Sequence, residues 1–294
     1  MTDNFPPAST APQGDGSANG DSRAADSRPT VALTVEIGFT MPQQGDVLLQ
    51  FEAAQIPEQE VLSSGLWLTP VEHFARVPAH DAIGDRIWLR AEGPFSLTYR
   101  AEVAVQRVLA DVGTLDALAP HELPGEAVQY LLDSRYCLAT KMQTTVLDEF
   151  GNLKGGAKVI AMRDWIANHL TYEGGHSTPD TTAIDTYVKR RGVCRDYAHL
   201  LVTMARASAI PARFVSCFSP GVNPPDFHAV AEVFLADPAI PGGGAWHMVD
   251  ATGMIDPANT VKIGVGRDAS DVSFLTSFDP CWFNFQSVQV STTR

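Results

Sequence analysis

The stretch that constrains this chain most runs over residues 190–201. Gly192 and Cys194 stand just ahead of a run with helical spacing: Tyr197, Leu200, Leu201, Met204 and Ala205 recur at three- and four-residue intervals. The spacing predicts a helix with Cys194 in its first turn. First-turn N–H groups have no intrahelical acceptor, and the helix dipole leaves partial positive charge there. A thiolate gains from both, so a cysteine so placed has a lowered pKa and a nucleophilic sulfur near neutral pH. The competing reading is structural, because an unpaired cysteine commonly packs as a small apolar side chain.

Downstream the period changes. Pro211 ends the helix, since proline disfavours helix in the residue before it, and residues 212–218 read as a strand with Cys217 in the core. Residues 227–235 alternate and are β-rich, with His228, Val230, Glu232 and Phe234 on one face. Asp237-Pro238 and Pro241-Gly242-Gly243-Gly244 make a loop, and residues 245–250 read as the next strand. An antiparallel pair brings Asp250 within side-chain reach of His228. The chain order is then nucleophile, base, acid: a thiolate, an imidazole that holds and returns the proton, and a carboxylate that fixes the imidazole tautomer. His247 lies three residues before Asp250, on the opposite face by period two, unless a bulge reverses the parity.

Gly192-Val193-Cys194-Arg195-Asp196-Tyr197-Ala198-His199, followed by Ile210-Pro211-Ala212-Arg213-Phe214-Val215-Ser216, resembles the core motif of the bacterial transglutaminase-like superfamily. His228-Ala229 and Asp250-Ala251-Thr252 are similar to its other two motifs, and the likeness covers about 123–285. Val230 stands where many relatives carry Trp, and Ala251 where Pro is common, which leaves the substrate class open. The resemblance implies a papain-like α+β catalytic domain with a Cys194-His228-Asp250 triad. The activity it implies is acyl transfer at peptide or protein amides, as a protease, amidase or transglutaminase. It also implies a β-domain ahead of the catalytic one. The alternative is a non-catalytic module that holds peptide in the same cleft. A redox sensor is a third reading and needs a resolving cysteine.

Composition bounds the partners. Net charge is 21 minus 34, or -13, which argues against nucleic acid and anionic membranes and suits cationic or neutral substrates better. No apolar run approaches the roughly 20 residues of a membrane span, and the first residues show no basic start or apolar stretch of a secretory signal. Cys137, Cys194, Cys217 and Cys281 have no CxxC spacing and no close histidine, so zinc is not expected. Nor is calcium, because no dense carboxylate loop occurs; no cofactor is predicted. Scattered thiols suit a reducing cytoplasm.

Three segments are expected. Residues 1–28, rich in Ser, Ala, Asp, Gly and Pro, lack the apolar groups to offset ordering entropy and read as a disordered tail. Residues 29–115 carry short β-rich runs at 30–37, 46–52, 66–68, 86–90 and 95–105, which suggests an antiparallel β-sandwich. Its His73 and His80, and His121 just beyond it, sit singly and carry no chemistry. Residues 116–294 form the catalytic domain, with helices over 146–150, 157–170 and 183–189. The loop 219–226 should line the cleft. His176 and Asp226 are candidate substrate-binding residues by nearness to Cys194 and His228 in sequence. Around Gly266-Arg267-Asp268 the resemblance points to a buried Arg–carboxylate pair that fixes a loop, and residues 274–290 should finish the sheet.

Overall fold

The computed structural model describes Arg28 and residues 30–239 and 243–293; the tail expected over 1–28 lies, Arg28 apart, outside the described residues. Four strands open the chain: β1 (Thr30–Leu49), β2 (Gln59–Leu68), β3 (His73–Pro78) and β4 (Asp85–Val105). The sequence suggested two strands in place of β1 and two in place of β4. Instead each runs through its turn-like residues and bends. β1 and β4 pair antiparallel from Thr30 opposite Ala104 to Leu49 opposite Ile87, with the register shifting between Met41 and Gly45. Gly93, opposite Met41, adopts a φ of 73°, a conformation glycine takes at little cost.

The bend is held because side chains on both sides of it enter one core. Val31, Leu33, Val35, Ile37 and Phe39 precede it, Val47 and Leu49 follow it, and all belong to the same buried cluster. Phe39 is fully buried and stacks on Phe95 at 4.7 Å. Truncating such a residue typically costs about 3–5 kcal/mol. The two layers of the sandwich are therefore halves of one continuous sheet.

Among the described residues five α-helices follow: α1 (Gly125–Val128), α2 (Gln143–Phe150), α3 (Gly155–His169), α4 (Ala183–Lys189) and α5 (Cys194–Ala207). Two short strands, β5 (Thr171–Tyr172) and β6 (Arg191–Gly192), pair in parallel. The second sheet is antiparallel, in the order β10 (Val261–Gly266), β7 (Ala212–Phe218), β8 (His228–Ala236), β9 (Gly244–Val249). α5 lies against it. Leu200, Leu201 and Met204 pack with Ala231, Val233 and Val249, and every residue from Asp196 to Arg206 is buried.

The last strands, β11 (Leu275–Ser277) and β12 (Trp282–Thr292), pair with β1. They complete the sheet that opens the chain, not the one that carries His228. A buried charge network joins the two sheets. Lys262 on β10 sits 2.7 Å from Glu232 on β8 and 2.9 Å from Glu58, while Arg213 on β7 sits 2.8 Å from the same Glu232. Burial raises the Glu232 pKa most, but the Lys262 and Arg213 charges outweigh it and hold the carboxyl below its usual range.

Candidate active site

The approach to Cys194 is fixed residue by residue. α4 ends at Arg190, a non-glycine residue in the left-handed region (φ 57°, ψ 29°). That conformation costs on the order of 1–2 kcal/mol. Its guanidinium lies 4.3 Å over Trp165 and 4.4 Å over Tyr187, contacts worth about 0.5–1 kcal/mol each at exposed sites. β6 then pairs with β5, and α5 begins. Val193 has no side-chain acceptor for the first turn. Asp196 at the third helical position reaches back and accepts the Val193 N–H at 2.8 Å, as in half of a capping box. A Cβ at Gly192 would stand 2.6 Å from that carboxylate, so only glycine fits there. Cys194 is left in the first turn, partly exposed.

His228 is the first residue of β8 and Asp250 follows the end of β9. Carried past Val249, which pairs with Ala231, the register sets Asp250 opposite Val230 and two residues from His228 on the same face. His228 Nε2 lies 3.4 Å from Asp250 Oδ2 and 3.4 Å from Thr252 Oγ1. Nε2 is thus occupied, and Nδ1 is buried without a protein hydrogen bond of ordinary length among the described residues. The Cys194 thiol acts on the ring through both hydrogen bonding and charge. Burial depresses the His228 pKa most. The bond to Asp250 and the bond and charge of Cys194 together outweigh it and lift the pKa to about 9.

Asp250 is held as an anion. Its oxygens accept the N–H groups of Thr252 (2.8 Å), Met254 (2.9 Å) and Ile255 (3.2 Å) and the Thr252 hydroxyl (2.7 Å). Burial pushes its pKa up, but the His228 and Thr252 bonds dominate and keep it below the ordinary value. Thr252, quoted in the sequence only as part of the Asp250 motif, thus belongs to the site through contacts to both Asp250 and His228.

Tyr172 is a second residue that sequence reasoning missed. Its pairing opposite Gly192 puts the ring beside Cys194. Burial raises the phenol pKa most, the charge of Cys194 raises it further, and the Cys194 main-chain N–H is a hydrogen-bond partner of the hydroxyl. The only signal was a tyrosine ahead of the His176 loop, which periodicity does not distinguish.

The two candidate substrate residues part company. Burial raises the Asp226 pKa most and the His228 charge opposes it, while the Asp226 charge reaches Tyr172; its carboxylate accepts hydrogen bonds from the Phe227 N–H and from Gln286 on β12. Its own loop, 219–226, does not line the groove at Cys194; Phe227 does. His176 is not brought to the groove. It lies 3.2 Å from Glu173 on a solvent-facing loop. Three other readings of the sequence find their places. His247 faces away and sits 3.6 Å from Asp237. Cys217 is fully buried and donates to the His228 carbonyl at 3.7 Å. The Arg267–Asp271 pair is half-exposed on its arginine side rather than buried. The loop there is anchored instead by buried Asp268, which accepts the Tyr136 N–H at 3.0 Å, and by Arg206, which donates to the Arg267 carbonyl at 2.6 Å.

Cys194 and His228 open on a groove of about 470 Å³, with Thr276 of β11 and the preceding Phe274 contributing to its lining. Among the described residues no group of three or more His, Cys, Asp or Glu side chains could hold a metal ion, and no helix is long and apolar enough to cross a membrane.

The sequence profile of the transglutaminase-like superfamily matches residues 142–251, from α2 through Asp250. The chain carries a transglutaminase-like domain. The crystal structure of a candidate cysteine protease from Cytophaga hutchinsonii superposes with a TM-score of 0.84 at 29% identity, over 91% of each chain. That coverage includes the bent sheet as well as the transglutaminase-like domain. An uncharacterised protein of Mycobacterium leprae is 30% identical over 124 residues, 39% of this chain and 42% of its own length. One from Mycobacterium bovis is 32% identical over 118 residues, 36% of this chain and 37% of its own. The match thus spans about two fifths of the length of these curated relatives.

Proposed function

We propose that the chain is a thiol-dependent acyl-transfer enzyme acting on peptide or protein amides through Cys194, His228 and Asp250. The observation that carries this reading is the position of the His228 ring, with Nε2 on a fixed carboxylate and Nδ1 left for the sulfur. A raised imidazole pKa beside a thiol favours the thiolate–imidazolium pair, the reactive form of such a site.

In this mechanism the Cys194 thiolate attacks the amide carbonyl carbon and the carbonyl electrons move onto oxygen. The Tyr172 hydroxyl, which accepts the Cys194 main-chain N–H, has its own proton available to receive that charge. His228 delivers its Nδ1 proton to the amine as the C–N bond breaks, leaving a thioester. Water or a second amine then attacks the thioester. His228 takes up the nucleophile's proton, and the thiolate leaves. Water gives hydrolysis and an amine gives transfer. Asp250 keeps the ring oriented through both halves.

The test is mass-spectrometric alkylation of the folded protein with iodoacetamide. Cys194 should react at least about 100-fold faster than buried Cys217, and Cys194→Ala should abolish that fast label. Equal rates at the two cysteines would reject an activated thiol and leave a peptide-holding module. Incubation with a peptide library, with and without a primary amine, reads out hydrolysis against transfer.

A further inference from the structure

The chain has 34 acidic and 21 basic residues, yet the groove at Cys194 has the opposite balance. Its lining includes Arg135 and Arg195 and no aspartate or glutamate. The two guanidinium groups flank one ring, at 5.0 and 5.7 Å from the Tyr136 centroid. Their acidic neighbours neutralise them incompletely. Arg135 meets Asp180 at 3.5 Å, but those side chains are 59% and 90% exposed, so solvent screens the pair. Arg195 donates to the Thr178 carbonyl at 2.7 Å and lies 3.4 Å from Asp196, and its Nε is buried without a partner among the described residues. The Asp196 carboxylate is itself engaged by the Val193 N–H and the Ser177 hydroxyl. Three further acids lie close by but outside the groove lining: Asp226, bound by Gln286 and the Phe227 N–H, Asp250, held on His228, and Asp268, which accepts the Tyr136 N–H. Elsewhere the lining mixes Ser216, Ser270, Ser273 and Thr276 with apolar side chains, among them Phe227 and Phe274 stacked at 4.9 Å.

We infer that the groove selects acyl substrates bearing a carboxylate close to the amide that is attacked, with Arg135 and Arg195 as its receptors. The inference rests on the thiol-enzyme reading of this site and narrows its substrate class to acidic peptides. The net charge of the whole chain favours cationic or neutral partners, but a substrate in the groove meets the local field, where nearby charges act with little screening. Guanidinium groups suit carboxylates because their donors match both oxygens. The carboxylate can be an acidic side chain or a chain terminus, and the two sources call for separate probes.

The experiment measures the second-order rate of Cys194 modification by matched reagents, each normalised to N-acetylcysteine. Acetyl-dipeptide vinyl sulfones carrying glutamate or glutamine read the side-chain source. Iodoacetate against iodoacetamide reads a small free carboxylate. A charge-assisted contact predicts about a 10- to 100-fold preference for the acid in at least one pair. The preference should shrink in about 0.5 M salt. It should fall toward the residual set by the His228 imidazolium in the Arg135→Gln/Arg195→Gln double variant. Arg135→Gln alone, at a mostly exposed side chain, gives a partial loss if the double variant does not fold. A wild-type acid-to-amide ratio at or below one in both pairs overturns the inference, as does a ratio that neither variant moves. Because the readout is a ratio at one sulfur, it holds even if Cys194 is no more reactive than Cys217, an outcome that would sink only the enzyme reading.

Discussion

His228 and Glu232 stand four residues apart on β8, on the same face of the strand. They are exposed by only 2% and 0%. One end of that face is arranged for chemistry and the other for cohesion. Glu232 is enclosed by Lys262 and Arg213, both buried on neighbouring strands. His228 is matched on one nitrogen only, and its free side opens on the groove beside a thiol. Burial alone therefore does not mark a working residue; an unfilled hydrogen-bonding position beside a thiol at a groove does.

The largest effect expected from this contrast is on reactivity. His228→Ala should slow both alkylation of Cys194 and turnover by about 10² to 10⁴, with little change in melting temperature. Next comes stability. Glu232→Ala leaves buried Lys262 with only the part-exposed Glu58 and Arg213 with only Asp81 at 3.5 Å, and breaking a buried pair costs about 3–5 kcal/mol. Calorimetry should show a melting temperature lower by roughly 10 °C, while the folded fraction keeps a fast-reacting Cys194. If Glu232→Ala lowered reactivity and His228→Ala lowered stability, the contrast would be reversed and the division of the strand abandoned. Smaller is Tyr172→Phe, which removes one donor near the developing oxyanion and should lower kcat by about 10²- to 10³-fold, with KM little changed. Steady-state kinetics on any peptide found to turn over reads this directly; an unchanged kcat removes Tyr172 from the mechanism.

The smallest effect is on titration. Cys194→Ser takes away a nearby negative charge, so the His228 pKa should drop from about 9 by about 1–3 units. Ring-proton NMR follows it. The linkage has a definite sign. A folded pKa of about 9 against the ordinary 6.5 gives stability that is fully present below 6.5 and lost as pH rises through 9. Wild-type turnover should fall over the same alkaline range, as the imidazole loses the proton it must deliver.

Local signals in the sequence reached the second sheet well and the first sheet poorly. The helix from Cys194, the strands at 212–218 and 228–236, and the facing of His228 toward Asp250 follow from short-range period and parity. β1 and β4 did not, because Gly45 and the Gly93-Pro94 pair look like strand ends when they only bend a strand. β12 lies about 250 residues from the strand it joins, as in Val35 opposite Val288, and no periodicity carries such a pairing. Tyr172 sits in a two-residue strand, too short for any pattern to register. Arg206 reads as an ordinary residue of a helix, and its partners Leu132 and Arg267 are visible only in three dimensions.

The closing strand has a consequence for biosynthesis. Phe274 and Thr276 form part of the groove wall, Phe283 packs edge-on against Phe274, and Gln286 secures Asp226 beside the imidazole. A nascent chain can contain the thiol, the imidazole and the carboxylate and still have an open-sided cleft until residues 282–292 emerge from the ribosome and dock on β1. Docking of that strand on β1 therefore sets when the groove acquires its complete wall.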